Sequence, residues 1–190
     1  LSEWWENFLA HAPADLPADR RAEVELSASL AGHTLIAKYD LIALDEQRLV
    51  ILDWKTNLKR PTRTFLEYRL QTRVYPFVLA QNPPAGRIEP SQIQMTYWFA
   101  EFPSQPETFR YSQSQFDIDA RYLNKLIAEI ASCQDETFPL TQEHRRCRFC
   151  VYRSLCERDV PAASYEDEET DLDQVAELQV DMEQVAEIVY

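Results

Sequence analysis

Asp53 and Lys55 stand two residues apart in the run ILDWKTN, residues 51–57. In a strand, residues i and i+2 point to the same face, so a carboxylate and an ammonium would sit side by side. Alone, this reads as an ordinary ion pair at a sheet edge. Asp40, which interrupts the apolar run LIAKYDLIAL, supplies a second carboxylate in a matching position and makes a metal site an equal alternative. Two acids at the ends of neighbouring strands are costly to crowd or bury unless a cation neutralises them. Hard oxygen donors in small number suit Mg²⁺ or Mn²⁺. A lysine beside them could orient or help deprotonate a water and stabilise charge developing on a phosphate. Gln71 and Tyr75, four apart in LQTRVYPF, share a helix face, which is either a capped, half-buried face or part of the same site. Glu23 opens the preceding candidate strand, with Glu25 two residues on along the same face.

These residues need elements to bring them together. A helix is predicted over residues 2–12, capped by Ser2, with Trp5, Phe8 and Leu9 on one face. PADLPAD is a linker. EVELSASLAG alternates, with Val24, Leu26, Ala28 and Leu30 on the apolar side, as in a half-buried strand. HTLIAKYDLIAL is a second strand, DEQR a turn and LVILDWK a third strand, joined by connections short enough for an antiparallel meander. After Pro61 a helix is predicted over residues 64–80, kinked or bounded at Pro76. SQIQMTYWFAEF is an apolar strand, TFRYS its partner, and SQFDIDARYLNKLIAEIASC a long amphipathic helix. The order β-β-β-α-β-β-α makes this an α/β chain with a mixed central sheet flanked by helices. No internal repeats occur.

The chain has 190 residues, 45% of them hydrophobic, enough for one domain with a real core. It has no apolar run of about 18 residues, so no transmembrane helix is expected. It opens on Leu1 and an amphipathic rather than signal-like stretch, so we expect sequence to be missing upstream, and a cytoplasmic location. A net charge of −13 argues at first sight against a polyanionic partner. However, ten acids and no Lys or Arg follow Pro161, leaving 22 acids and 19 bases before it. Within that body, bases cluster at Lys59, Arg60, Arg63, Arg69 and Arg73, and again from Arg145 to Arg158. The division expected is a domain over residues 1–160 and, over residues 161–190, an acidic linker with an amphipathic helix carrying Leu172, Val175, Leu178, Met182, Val185 and Ile188. Three of the four cysteines crowd into CRFCVYRSLC, a ligand-like cluster rather than a secreted disulfide framework.

Glu23 in AEVELS, Asp40 in AKYDLI, LDWKTN, LQTRVY and CRFCVYRSLC, in this order and spacing, resemble the PD-(D/E)XK nuclease superfamily in its RecB-type branch, which includes helicase-linked and CRISPR-associated exonucleases. The resemblance covers residues 23–156 and implies a restriction-endonuclease-like core. It implies that Asp40 and Asp53 hold Mg²⁺ or Mn²⁺, with the Trp54 carbonyl as a further ligand and Glu23 supporting the metal, in part through water. Lys55 would position or activate the attacking water, Gln71 would hold the site, and Tyr75 would contact the DNA strand. Lys59, Arg60, Arg63, Arg69 and Arg73 would meet the DNA backbone. Cys147, Cys150 and Cys156 match the gaps of the iron–sulfur members, so a 4Fe–4S cluster in the full-length protein, or zinc, is a further expectation. The fourth ligand is missing upstream or supplied by Cys133 or His144. The function implied is metal-dependent hydrolysis of DNA, single-stranded or at duplex ends, by an exonuclease or end-processing enzyme of repair, recombination or defence. Its partners would be DNA and a helicase or other repair or defence protein, without a membrane. The alternative is a catalytically silent DNA-binding or scaffold domain that keeps the fold.

Overall fold

The protein is represented by a computed structural model, which describes residues 2–13, 15–84, 86, 88–133, 140–148 and 150–162. The linker and helix expected beyond residue 162 lie outside the described residues.

Five strands form one mixed sheet in the order β1-β2-β3-β4-β5. They are β1 (Asp19–Leu30), β2 (His33–Leu44), β3 (Leu49–Lys55), β4 (Ile93–Phe99) and β5 (Glu107–Arg110). All neighbours are antiparallel except β3 and β4, which run parallel. The first hairpin closes at Leu30↔His33 through Ala31 and Gly32, both with positive φ, as a two-residue hairpin matched to strand twist requires. The second turns on Asp45, whose carboxylate accepts the N–H groups of Gln47 at 2.8 Å and Arg48 at 2.9 Å, the local bonding that favours Asp in turns.

A parallel partner needs a crossover, and two helices provide it. α2 (Arg63–Tyr68) starts at Thr62, whose hydroxyl accepts the Phe65 N–H at 3.2 Å. α3 (Leu70–Gln81) follows after a single extended residue, Arg69. The helix expected as one piece is therefore two, and the break falls at Arg69 rather than at Pro76. Pro76 sits inside α3. At the junction the Leu66 carbonyl accepts both the Arg69 N–H (3.2 Å) and the Thr72 hydroxyl (2.5 Å), which stabilises the interruption. The interruption resets the helical phase just before Gln71, so Gln71, Val74, Tyr75 and Val78 are buried.

α3 packs on β1, β2 and β4 and on α4 (Gln113–Ser132). Between them lies the larger core, including Tyr39, Ile51, Leu66, Phe77, Met95 and Phe99. The opposite face of the sheet carries a smaller cluster of Leu52, Trp98 and Ala100 under α1 (Ser2–His11). The inward residues of α1 are Trp4 and Phe8, whereas Trp5 and Leu9 are more than half exposed. This corrects the expected face. Trp4 Nε1 donates to Glu101, and the Phe8 ring meets Trp54 and Trp98 edge-on. This anchoring rotates Trp5 outward.

One irregularity shapes the functional end of the sheet. On β2, Ala37 and Tyr39 face the larger core, but beyond Asp40 it is Ile42 and Leu44 that do, and Leu41 joins the opposite cluster. The inward parity changes at Asp40. Its counterpart on β1 is Glu23, between the pairs Ala22↔Leu41 and Val24↔Tyr39, with a φ of 52°, a left-handed conformation uncommon outside glycine.

Candidate active site

The ladder between β2 and β3 stops at Leu41↔Leu52. The next outward N–H of β3 belongs to Trp54, and it donates instead to Asp40 Oδ2 at 2.8 Å. The parity change thus turns a ladder position into a carboxylate beside β3. It leaves the other Asp40 oxygen without a hydrogen bond among the described residues. Backbone groups alternate between the two edges of a strand. The Lys55 carbonyl is taken by Ala100 on the β4 side, so the Trp54 carbonyl points to the β2 side, where Asp40 lies.

Asp53 is 3% exposed. Its Oδ1 accepts a 2.5 Å bond from Gln71 Nε2, and Gln71 Oε1 accepts from Lys55 Nζ at 3.1 Å. One buried amide thus holds both members of the pair. Lys55 Nζ is also 3.0 Å from Asp53 Oδ2, close enough for charge pairing. Beyond this ion pair, Oδ2 is a buried oxygen with no hydrogen-bond partner among the described residues. Burial pushes the Asp53 carboxyl above the usual carboxylate range; Lys55 and Arg69 pull it down, and Asp40 adds to the rise. A buried polar atom left unsatisfied is uncommon and costly. Here the Lys55 ammonium meets its charge at 3.0 Å, and the second carboxylate, Asp40, is what a further cation would answer.

Sequence reasoning missed two residues, Tyr97 and its partner Thr72. Tyr97 is the register partner of Asp53 on β4, and the Lys55 ammonium lies 5.6 Å from its ring centre. Burial, reinforced by the Asp53 charge, pushes its phenol up. Its hydroxyl is 2.7 Å from Thr72 Oγ1. The signal was present in MTYWFA, where Tyr97 has the parity of the inward residues Met95 and Phe99.

The remaining expected residues fall elsewhere. The Glu23 carboxylate is exposed and 3.4 Å from Lys38. Among the described residues no three or more His, Cys, Asp and Glu side chains gather as a metal-holding group, so Glu23 does not join Asp40 and Asp53. Tyr75 is 7% exposed, its ring 4.8 Å from that of Tyr39, whose hydroxyl donates to the Tyr75 carbonyl at 2.9 Å. Three of the basic residues expected at a nucleic-acid backbone have carboxylate partners. Arg60 and Arg63 both pair with Glu107, and Arg73 pairs with Asp119 at 2.9 Å. Arg69 lies over the Phe65 ring at 5.5 Å. Lys59 also makes contacts of its own.

All four cysteines are free thiols. Cys147 is buried and its sulfur accepts from Arg158 Nη1 at 3.6 Å, while Cys133 is exposed. Cys147 closes α5 (His144–Cys147), Cys150 and Cys156 lie on the turns that follow, and among the described residues the three are not gathered as a ligand set. The donor set that an iron–sulfur cluster or structural zinc needs, four ligands around one centre, is therefore not assembled among the described residues.

A family model described as the PD-(D/E)XK nuclease superfamily matches residues 2–157. No curated protein matches the sequence. Similar solved structures include the crystal structure of SSO0001, at 12% identity and a TM-score of 0.45, covering 73% of this chain and 60% of that one. Another is a protein from Eubacterium rectale provisionally designated an exonuclease, at 12% identity and a TM-score of 0.47, covering 86% of this chain and 59% of that one. The chain thus spans about three-fifths of the length of either. From the family match, the chain belongs to the PD-(D/E)XK nuclease superfamily.

Proposed function

We propose that this superfamily member is a metal-dependent deoxyribonuclease of RecB type, acting as an exonuclease or DNA-end processor in repair, recombination or defence. The observation that carries the reading is the buried Asp53 carboxylate, whose Oδ2 pairs with the Lys55 ammonium at 3.0 Å, on the strand next to a second carboxylate, Asp40. Asp40 and Asp53, with the Trp54 carbonyl, would hold Mg²⁺ or Mn²⁺. Two carboxylates with water completing the shell are enough for Mg²⁺. When bound, the ion supplies Lewis acidity at the phosphate and a water made acidic enough to attack at neutral pH.

The side chains of this chain do the rest. Lys55, as an ammonium, has three donors and no acceptor. In that form it orients the attacking water and stabilises charge on the phosphoryl oxygens, and the water's proton would pass to solvent. Gln71 fixes the Lys55 amine through Oε1 and so limits where it can donate. Tyr97 lies under that amine as a rigid floor. Glu23 would act only through water or after leaving Lys38. Lys59, Arg60, Arg63, Arg69 and Arg73 form a basic approach for the strand. Tyr75 serves that strand through the position of α3. In this reading residues 1–160 are the nuclease domain and 161–190 an acidic extension. A helicase or other repair or defence protein is the partner expected, in the cytoplasm. The cysteines have no part in the hydrolysis.

The test is incubation of end-labelled single- and double-stranded DNA with Mg²⁺, Mn²⁺ or EDTA. Cleavage should require metal and stop in EDTA. Lys55→Ala should lower its rate by about 10²–10³-fold, the typical loss of one preorganised donor, while DNA binding persists. A folded full-length protein that cleaves neither substrate with metal, or a Lys55→Ala variant as active as the parent, would overturn the reading.

A further inference from the structure

A cavity of about 260 Å³ opens between α2, α3, β5 and the start of α4. We propose that it is a strand-end subsite, holding one unpaired terminal nucleotide of a DNA strand with its base against Tyr68 and its phosphate at Arg110; this rests on the nuclease reading above. The volume lies just under the roughly 300–1,000 Å³ of sites for drug-sized ligands, which suits a single small unit rather than a helix or a peptide.

The polar wall of this cavity is built around a charge that the proposed hydrolysis does not use. Asp119 is fully buried. Its Oδ1 accepts from Arg73 Nη1 and Gln115 Nε2, both at 2.9 Å, and its Oδ2 from the Tyr111 hydroxyl at 3.1 Å. All three donors line the cavity. Arg73 is further held by the Tyr122 ring, 4.7 Å from its guanidinium. A wall whose rotamers are fixed in this way presents a preorganised surface to a ligand.

Two other lining residues are uncommitted. Arg110, unlike Arg60, Arg63 and Arg73, makes no side-chain hydrogen bond or ion pair among the described residues, and its side chain is exposed. Tyr68, at the end of α2, is 54% exposed and has no ring or hydrogen-bond partner among the described residues. An open aromatic face beside an open guanidinium fits the two halves of a nucleotide. Every base can stack on the ring, and a phosphate takes the guanidinium fork. Glu67, the one carboxylate among the lining residues, disfavours a second phosphate and offers an acceptor to an exocyclic amine. Two side chains, Thr72 and Tyr97, link the cavity to the reaction centre. Thr72 lines it and meets Tyr97, which underlies Lys55. A strand end held there would lie beyond these two side chains from the Asp53–Lys55 pair, so the next nucleotides could pass over the pair, as an enzyme that works from ends requires.

The experiment measures binding of a short single-stranded oligodeoxynucleotide, labelled internally with fluorescein, to the full chain in EDTA, by fluorescence anisotropy. Tyr68→Ala and Arg110→Ala should each raise Kd about tenfold, within the range of one base–aromatic contact, and Tyr68→Phe should restore parental binding. An oligonucleotide lacking its terminal base should bind the parent more weakly and be indifferent to Tyr68→Ala. Parental binding by both alanine variants, or an unchanged Tyr68→Ala loss on the oligonucleotide lacking its terminal base, overturns the subsite. Metal-dependent cleavage by the parent is read separately. Cleavage with Tyr68-independent binding removes the subsite and leaves the nuclease, whereas Tyr68-dependent binding without cleavage does the reverse.

Discussion

Gln71→Met is the substitution that most directly probes how the site is held. It keeps the side-chain volume and removes both hydrogen bonds of the amide, from Nε2 to Asp53 Oδ1 at 2.5 Å and from Lys55 Nζ to Oε1 at 3.1 Å. Hydrogen bonds to charged groups contribute about 1.5–3 kcal/mol each. The two losses are not equal. Asp53 is 3% exposed, and its Oδ1 would be left a buried oxygen without a partner. Lys55 keeps its contact with Asp53 and, being less buried, regains some solvation by water. The expected loss of stability is therefore about 2–4 kcal/mol, nearer one full charge-assisted bond than two. With a urea m value of about 2 kcal/mol per molar, the unfolding midpoint should fall by about 1–2 M. Catalysis should suffer separately. Lys55 would keep its charge but lose the acceptor that aims it, so the rate at saturating DNA and Mn²⁺ should drop about 10–100-fold, that is about 1.4–2.7 kcal/mol of transition-state stabilisation, with KM little changed. Urea unfolding in EDTA reads the first quantity and single-turnover cleavage the second. A variant that unfolds at the parental urea concentration, or that cleaves at the parental rate, would refute the idea that this amide organises the pair.

Further outcomes follow from the same geometry. Asp40→Asn still offers an oxygen to the Trp54 N–H, so stability should change by less than about 1 kcal/mol. Mn²⁺ affinity, measured by titration calorimetry, should fall by more than the roughly 10–100-fold seen for lost supporting contacts; unchanged affinity would remove Asp40 from the metal site. Burial holds the Asp119 carboxyl above the usual range, against the opposing pulls of Gln115, Tyr111 and Arg73. The folded state therefore binds this proton more tightly than the unfolded one. Its stabilisation is present below about pH 4 and is lost as pH rises through the folded value. The stability of the parent relative to Asp119→Asn should fall with rising pH over that window in urea titrations, and a rise would contradict the assignment. Replacing Cys147, Cys150 and Cys156 together with Ser should leave metal-dependent cleavage intact; loss of cleavage in a folded variant would show that the thiols serve the site after all.

The strands were legible because their signals are local. The continuous apolar runs of HTLIAKYDLIAL and LVILDWK give β2 and β3 residue for residue, whereas the alternation in EVELSASLAG gives β1 only from Glu23, four residues after its start at Asp19. The α2–α3 break was not legible, since Arg69 carries no breaker signal while Pro76 carries a strong one. Pro76 is accommodated because the packing of α3 against the sheet outweighs a missing bond. In WWENF the choice between Trp4 and Trp5 was settled by an acceptor 97 residues away in sequence, on Glu101. The basic cluster was legible as composition but not as pairing, because Glu107 and Asp119 come from β5 and α4, far along the chain.

The sequence by itself determined the order of the elements and the side-by-side placement of Asp53 and Lys55, because a period of two is a property of any strand. Only the tertiary structure decided what faces that pair. The parity change at Asp40 and Glu23 depends on how two long strands cross the larger core, and the reach of Gln71 depends on the phase at which α3 restarts. How Cys147, Cys150 and Cys156 are arranged depends on turns that, among the described residues, bring no fourth ligand. Each of these is set by contacts between residues distant in sequence, where a small shift of register or rotation moves a side chain to the other face.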